Sequence, residues 1–269
     1  MPLSIINGRV VDPSQRIDRI CNLRIHDGKM IALGGSPGDE DVIFDASDKI
    51  VVPGLIDMHV HLREPGREED ETIETGTQAA IYGGFTSIAC CPNTVPPIDS
   101  RATVEFIQQQ AARSKNCNVY VICCISKNRE GKELAELGQL FEAGAVACSD
   151  DGSPVEDAEL MRRAFEYCLM FDKPLLSHSE VTSLTKGGVM HEGMVSLLLG
   201  LRGMPVAAED VMVAQDITLA EITGGRLHVM HVSTEGAVSA IRRAKLRGIR
   251  VTAEVTPHHL TLTDELLKS

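Results

Sequence analysis

The chain is short of basic residues: 26 Lys and Arg stand against 38 Asp and Glu, a formal net charge of -12. That balance argues against a nucleic-acid-binding surface, which needs clustered cations. No apolar stretch is long enough to span a bilayer, which argues against a membrane protein. The opening Met-Pro-Leu-Ser-Ile-Ile-Asn-Gly8 has neither a basic n-region nor a cleavage site, so no signal peptide is expected and the protein is placed in the cytoplasm. The eight cysteines include no Cys-x-x-Cys, and Cys90-Cys91 and Cys123-Cys124 are adjacent pairs inside apolar runs. Buried, reduced thiols acting as small apolar residues fit this better than disulfides or a zinc finger. Cys148, shortly before the acidic pair Asp150-Asp151, takes the same reading. A repeat of solenoid period and a low-complexity tract are also missing.

What remains is ordinary for a globular protein, with 43% hydrophobic and 24% charged residues. A chain of 269 residues can bury a full core as one large α/β barrel or as two smaller domains. Its most informative stretch is Val51-Val-Pro-Gly-Leu-Ile-Asp-Met-His-Val-His-Leu-Arg-Glu-Pro-Gly66. An apolar run leads to His59 and His61, and residues i and i+2 of a strand share a face. Two imidazoles, favoured ligands of zinc and similar metals, therefore converge at the end of a buried strand. Arg63 continues the alternation and is expected to point the same way.

Residues 1–50 are rich in short strand signals. Ile5 to Val11 is broken by Asn7-Gly8, and Asn22–Ile25 and Lys29–Leu33 flank a His26-Asp27-Gly28 hairpin turn. These residues are read as a small β subdomain, with His26 a surface residue of no role. From residue 51 strands alternate with helices. The helices are expected over Thr72–Tyr82, Ala102–Ser114, Glu133–Ala143, Asp157–Phe171, Ala208–Ile222 and Glu235–Arg247. The strands between them are expected at Thr86–Cys91, Asn118–Ile125, Ala145–Cys148, Pro174–Ser177, Leu227–Met230 and Ile249–Val255, with an irregular insertion over residues 181–205. Near-continuous apolar strands between helices mean a parallel sheet covered on both faces. The residues with chemistry (His59 and His61, Asn93, Asp150-Asp151, His178, His231) follow five different strands. That distribution suits the carboxyl-end site of a (β/α)8 TIM-type barrel better than the single switch point of an open sheet. The barrel is assigned to residues 51–269.

Asp57-Met-His-Val-His-Leu-Arg-Glu-Pro-Gly66, Cys91-Pro-Asn-Thr94, Ser149-Asp-Asp-Gly-Ser-Pro154 and Glu254-Val-Thr-Pro-His-His259 resemble, in order, the motifs of dihydroorotases of the longer bacterial type, in the amidohydrolase superfamily. The resemblance implies interconversion of N-carbamoyl-L-aspartate and L-dihydroorotate at one or two zinc ions. It makes His59, His61, His178 and His231 metal ligands. It puts the bridging carboxylate at Asp151, with Asp150 as the alternative, where many amidohydrolases carry a carboxylated lysine. Arg63 and Asn93 match substrate-binding positions of the family. The implied partners are the small-molecule substrate and either a second copy of the chain or an aspartate transcarbamoylase. His258-His259 is read at the end of the seventh strand, where adjacent residues face opposite ways and cannot chelate together. His191 and His228 are not read as ligands.

The chain departs from the family in stopping at Ser269, before the eighth strand and its catalytic aspartate; Asp264, read as opening a helix, does not replace it. The barrel is therefore expected to be incomplete, with an open seam, and catalytic turnover by these residues alone to be weak. Two other readings stay open. One is a hydantoinase- or allantoinase-like cyclic amidase, against which the absence of a bridging lysine speaks. The other is a non-catalytic scaffold for a transcarbamoylase.

Overall fold

The computed structural model describes residues 1–268. Contacts divide the chain into two units. The first is Met1–Ile56 with Gly84–Thr86, and the second takes Asp57–Gly83 and the chain from Ser87 onward.

The first unit holds β1 (Leu3–Ile6), β2 (Arg9–Asp12), β3 (Ile17–Ile20), β4 (Leu23–His26), β5 (Lys29–Leu33), β6 (Val42–Asp45) and β7 (Ile50–Val51). They form two small sheets, ordered β5-β4-β1-β6 and β3-β2-β7. Asp27 and Gly28 both have positive φ (48° and 70°), the conformation of a tight two-residue hairpin turn between β4 and β5. The Asp41 carboxylate ties this unit together. It takes both prongs of the Arg24 guanidinium (2.7 and 2.9 Å), the Ser4 hydroxyl (2.6 Å) and the Gly38 N–H (2.8 Å).

The second unit is built on strand–helix alternation. In chain order it runs through β8 (Leu55–Val60), α1 (Ile73–Tyr82), β9 (Phe85–Cys90), α2 (Arg101–Ser114), β10 (Asn118–Cys123), α3 (Leu137–Glu142), β11 (Ala147–Cys148), α4 (Ala158–Met170) and β12 (Leu175–Ser177). It continues with α5 (Thr182–Thr185), β13 (Met190–His191), α6 (Met194–Leu199), β14 (Gly203–Met204), α7 (Ala207–Thr223), β15 (Leu227–Val229), α8 (Glu235–Leu246), β16 (Val251–Ala253) and α9 (Pro257–Thr261). Seven strands make one sheet in the order β16-β15-β12-β11-β10-β9-β8. Every pairing from β9 to β16 is parallel. Cys91, Ile122, Ala147, Leu176 and Met230, from five neighbouring strands or their ends, pack as one buried interior cluster. This is the layered, filled interior of a (β/α) barrel, whose carboxyl ends are the place for a site.

The helices start where side chains can accept their free N–H groups. Thr72, Ser100, Asp157 and Thr234 cap α1, α2, α4 and α8, each such cap contributing about 1 kcal/mol. Helix α3 is shorter than the periodicity predicts. Glu133, Leu134 and Ala135 are held by the segment after β10: Lys127 N–H donates to Glu133 O (2.9 Å), Ala135 N–H donates to Ile125 O (2.9 Å), and Ser126 and Leu134 form a bridge. Backbone pairing there uses the groups a helix would need. Residues 181–205 carry α5, the β13–β14 pair and α6. His258 and His259 lie in α9, capped by the Thr256 hydroxyl, and not on the seventh strand. Pro257 at the first helical position, where no N–H is required, explains the turn into helix. Among the described residues no helix is long and apolar enough to cross a membrane.

Candidate metal centre

Asp151 is the hub. Its backbone follows β11, and its side chain is almost fully buried. Oδ2 lies 3.5 Å from His59 Nε2 and 3.5 Å from His61 Nε2. Oδ1 lies 3.4 Å from His178 Nδ1 and 3.6 Å from His231 Nε2. These separations exceed ordinary N–H···O hydrogen bonds, which run about 2.7–3.2 Å. They match the edge between two donors bound to one tetrahedral ion at about 2.0–2.1 Å, roughly 3.4 Å apart. The donor atoms of His59, His61, Cys91 and Asp151 all lie within 4.8 Å of one another, as do those of Asp151, His178 and His231. One carboxylate thus faces two donor groups with its two oxygens, and the set fits a metal centre of one or two ions.

The ring nitrogens turned away from Asp151 are held in three of the four histidines. His59 Nδ1 bonds Glu254 Oε1, His61 Nδ1 bonds Asn93 Oδ1 at 2.8 Å, and His178 Nε2 bonds Glu180 Oε2 at 3.1 Å. Acceptors of this kind fix the tautomer and aim the opposite nitrogen inward. Glu254 is itself anchored. Its Oε2 meets His228 Nε2 at 3.2 Å, His228 Nδ1 meets Thr252 Oγ1 at 2.8 Å, and Oε1 also takes the His231 N–H at 3.3 Å. His231 has φ +35°, uncommon for a residue with a Cβ.

The electrostatics ask for positive charge at this spot. Burial works against the charge of His59, yet hydrogen bonding to Asp151, Cys91 and Glu254 outweighs it and lifts the imidazole to about 12. Burial likewise opposes ionisation of Asp151, but His178, His231 and His59 hold its carboxyl far below the usual range. Glu254 sits at about 2, where bonds to His228 and His59 overcome its burial. Two ionised carboxylates therefore share a partly buried site whose neighbouring donors are imidazoles.

The neighbouring Asp150 takes a different part. Its carboxylate receives the Ile125 N–H (2.8 Å), the Ser126 N–H (3.2 Å) and the Ser126 hydroxyl. Burial lifts its pKa to about 6 despite those bonds. It staples the loop after β10 and joins neither donor group. Arg129 donates to the carbonyl of Asp151 and to Ser153 Oγ, holding the loop that presents Asp151.

Arg63 departs from the expected alternation. The strand ends at Val60, and Arg63 has a left-handed φ of 53°, so the two-residue period no longer sets its direction. Its guanidinium still acts on His61, whose pKa is lowered by burial first and by His59 and Arg63 in addition. Among the described residues Arg63 makes no ion pair. Glu64, the next residue in the chain, instead accepts the Ile73 N–H (2.7 Å) at the start of α1. Asn93 points its carbonyl oxygen at His61, leaving its NH2 group uncommitted. A cavity of about 490 Å³ opens beside the second donor group, lined by His178, His231, Glu180, His191 and His259 among others. His191 and His259 belong to neither donor group. His228, read as no ligand, is buried behind Glu254.

Sequence reasoning did not single out Glu254, Glu180 or a site role for Cys91. Glu254 was legible in part, since it follows the seventh strand as the other site residues follow theirs.

A parallel barrel sheet with this donor set at its carboxyl ends defines a class, the metal-site barrels of amidohydrolase fold. The L-hydantoinase (dihydropyrimidinase) from Arthrobacter aurescens superposes on 98% of this chain and 60% of its own, with a TM-score of 0.81 at 22% identity. The family model described as Dihydro-orotase-like matches residues 48–237, and the chain belongs to that family. Proteins named dihydroorotase from Syntrophus aciditrophicus and Pelotomaculum thermopropionicum are 51% and 56% identical to it over 268 residues. Each match takes in 98% of this chain but 63% and 62% of the relative, so the chain spans under two thirds of the length of these relatives.

Proposed function

We propose that these residues form the metal centre and part of the substrate pocket of a cyclic amidohydrolase that interconverts N-carbamoyl-L-aspartate and L-dihydroorotate. The observation that carries the reading is Asp151, each of whose oxygens faces a different histidine pair at 3.4–3.6 Å. His59 and His61 with Oδ2 would hold one ion, and His178 and His231 with Oδ1 the other. Imidazole with carboxylate is a donor set suited to zinc. When bound, the ions supply a water-derived nucleophile near neutral pH and polarise the carbonyl to be attacked.

The chain's own groups do the rest. Glu254, Asn93 and Glu180 keep the imidazoles aimed and in one tautomer, so the donors need little reorganisation on binding. Arg63, without a carboxylate partner among the described residues, grips the substrate carboxylate through two parallel hydrogen bonds. The free NH2 of Asn93 adds a donor from the neighbouring strand end. Residues 1–50 supply none of these groups.

Turnover of dihydroorotate by this chain with added zinc, against hydantoin as the control ring, tests the reading, with bound metal measured in parallel. We expect two ions per chain and a preference for dihydroorotate. A chain that stays metal-free in excess zinc refutes the centre; a preference for hydantoin refutes the substrate.

A further inference from the structure

Cys91 is the first residue beyond β9, and its N–H donates at 2.8 Å to the carbonyl of Val60, which lies between His59 and His61. That bond sets the thiol in register with the histidine pair. Its Sγ lies within 4.8 Å of one ring nitrogen each of His59 and His61 and of a carboxylate oxygen of Asp151, and those atoms lie as close to one another. The side chain is 1% exposed and rises from the interior cluster of Ile122, Ala147, Leu176 and Met230. Sulfur therefore meets the donor group from within the packed interior, and Cys91 does not line the cavity beside the second donor group. Of the eight free cysteines, Cys91 alone belongs to a metal-type donor group among the described residues.

We propose that Cys91 is a further metal ligand, its thiolate joining the set formed by His59, His61 and Asp151. The inference rests on the metal reading above. On binding, a sulfur–metal bond replaces the S–H bond and the proton leaves to solvent, with no electron transferred. A metal–sulfur bond is about 2.3 Å and a metal–imidazole bond about 2.0–2.1 Å, so the paired donors come to roughly 3.6 Å. A modest inward movement of the four side chains achieves that. The thiolate makes the two halves of the centre unequal. The half with Cys91 favours soft and borderline ions such as zinc, cobalt and cadmium over magnesium and manganese. The competing account is that the sulfur only fills the interior as a small apolar group.

Cobalt(II) loading separates the two. Visible d–d bands report uptake, and a near-ultraviolet sulfur-to-cobalt charge-transfer band reports the thiolate. We expect both in the natural chain and loss of the charge-transfer band in Cys91→Ser, which keeps the side chain's size. Cobalt uptake with d–d bands but no charge-transfer band overturns the thiolate and leaves the histidine centre standing. No uptake by the natural chain overturns both. If Cys91→Ser does not fold, X-ray absorption of the zinc-loaded natural chain decides alone. A sulfur shell at about 2.3 Å supports the ligand, and a shell of nitrogen and oxygen only overturns it.

Discussion

Removing the Glu254 side chain should weaken metal binding without touching a ligand. Its Oε1 holds His59 Nδ1 and the His231 N–H, and its Oε2 holds His228 Nε2, so it supports two of the four imidazole positions at once. Loss of such a support typically costs 10–100-fold in metal affinity, about 1.4–2.7 kcal/mol. Glu254→Ala should fall toward the upper end, because it frees the His59 ring to rotate and also removes a charge. Glu254→Gln should fall at the lower end. Its carbonyl can still accept from His59, and its NH2 can donate to His228 Nε2 if the His228 proton sits on Nδ1 toward Thr252. With a carboxyl pKa of about 2 in the folded protein, the charge removed by Gln is present throughout the pH range of the assay. The assay is zinc competition against a chromophoric chelator at neutral pH, with circular dichroism to confirm the fold. If Glu254→Ala binds zinc as tightly as the natural chain, the orienting role is refuted.

Further outcomes follow from the same geometry. His59→Ala should lose at least one metal ion per chain by elemental analysis; full retention would refute the ligand assignment. Arg63→Met should raise KM for the acidic substrate roughly 10–100-fold, the loss of about 1.5–3 kcal/mol from a charged hydrogen bond, with metal content unchanged; an unchanged KM would make Arg63 structural. Asp216 is fully buried, its one side-chain hydrogen bond among the described residues is from the Ser177 hydroxyl (2.5 Å), and burial raises its pKa from 3.8 to about 7. A carboxyl raised on folding carries no penalty below its unfolded pKa, a penalty that grows as pH climbs from that value to the folded one, and a constant penalty above it, so the advantage of Asp216→Asn over the natural chain should build between pH about 4 and 7 and then hold, at up to roughly 4 kcal/mol. Denaturant melts at pH 5 and pH 8 check this, and a pH-independent difference refutes it.

The strand–helix order of the second unit was readable because its strands are buried and nearly continuous in apolar residues, as in Val121, Ile122 and Cys123 at 0–1% exposure. The five strand ends that carry chemistry were readable for the same reason, since a barrel offers its carboxyl ends to one site. What periodicity could not show was the backbone beyond a strand end. Arg63 enters a left-handed conformation, His258 and His259 turn into a helix, and Glu133 to Ala135 pair with the segment after β10. The last is decided by tertiary hydrogen bonds, whereas the helix at His258 and His259 is set by its own cap, Thr256, and by Pro257. The two faces of Asp150-Asp151 are the clearest case. Adjacent carboxylates look equivalent in sequence, yet one is consumed by Ile125 and Ser126 while the other is left among four imidazoles. Cys91 shows the converse: a residue read as apolar filler does pack in the interior cluster, and its sulfur still reaches the donors.

Strand order gives Glu254 a second consequence. β8 and β16 are the two edges of the seven-stranded sheet, separated by five intervening strands. Yet His59, on β8, and Glu254, the first residue beyond β16, are in direct hydrogen-bond contact. That contact is possible only if the sheet curls until the carboxyl ends of its edge strands meet across the interior. Edge strands leave backbone groups unpaired, and in the described residues a polar side-chain contact joins these two edges at the level of the site. The residue that aims a metal donor is therefore also the one that bridges the edges, so ligand geometry and sheet curvature are coupled through a single carboxylate. A change that relaxes the curvature should disorder His59 first. His178 has an anchor of its own in Glu180, which follows the same interior strand, and meets the seam only at second hand, through its 2.9 Å contact with His231.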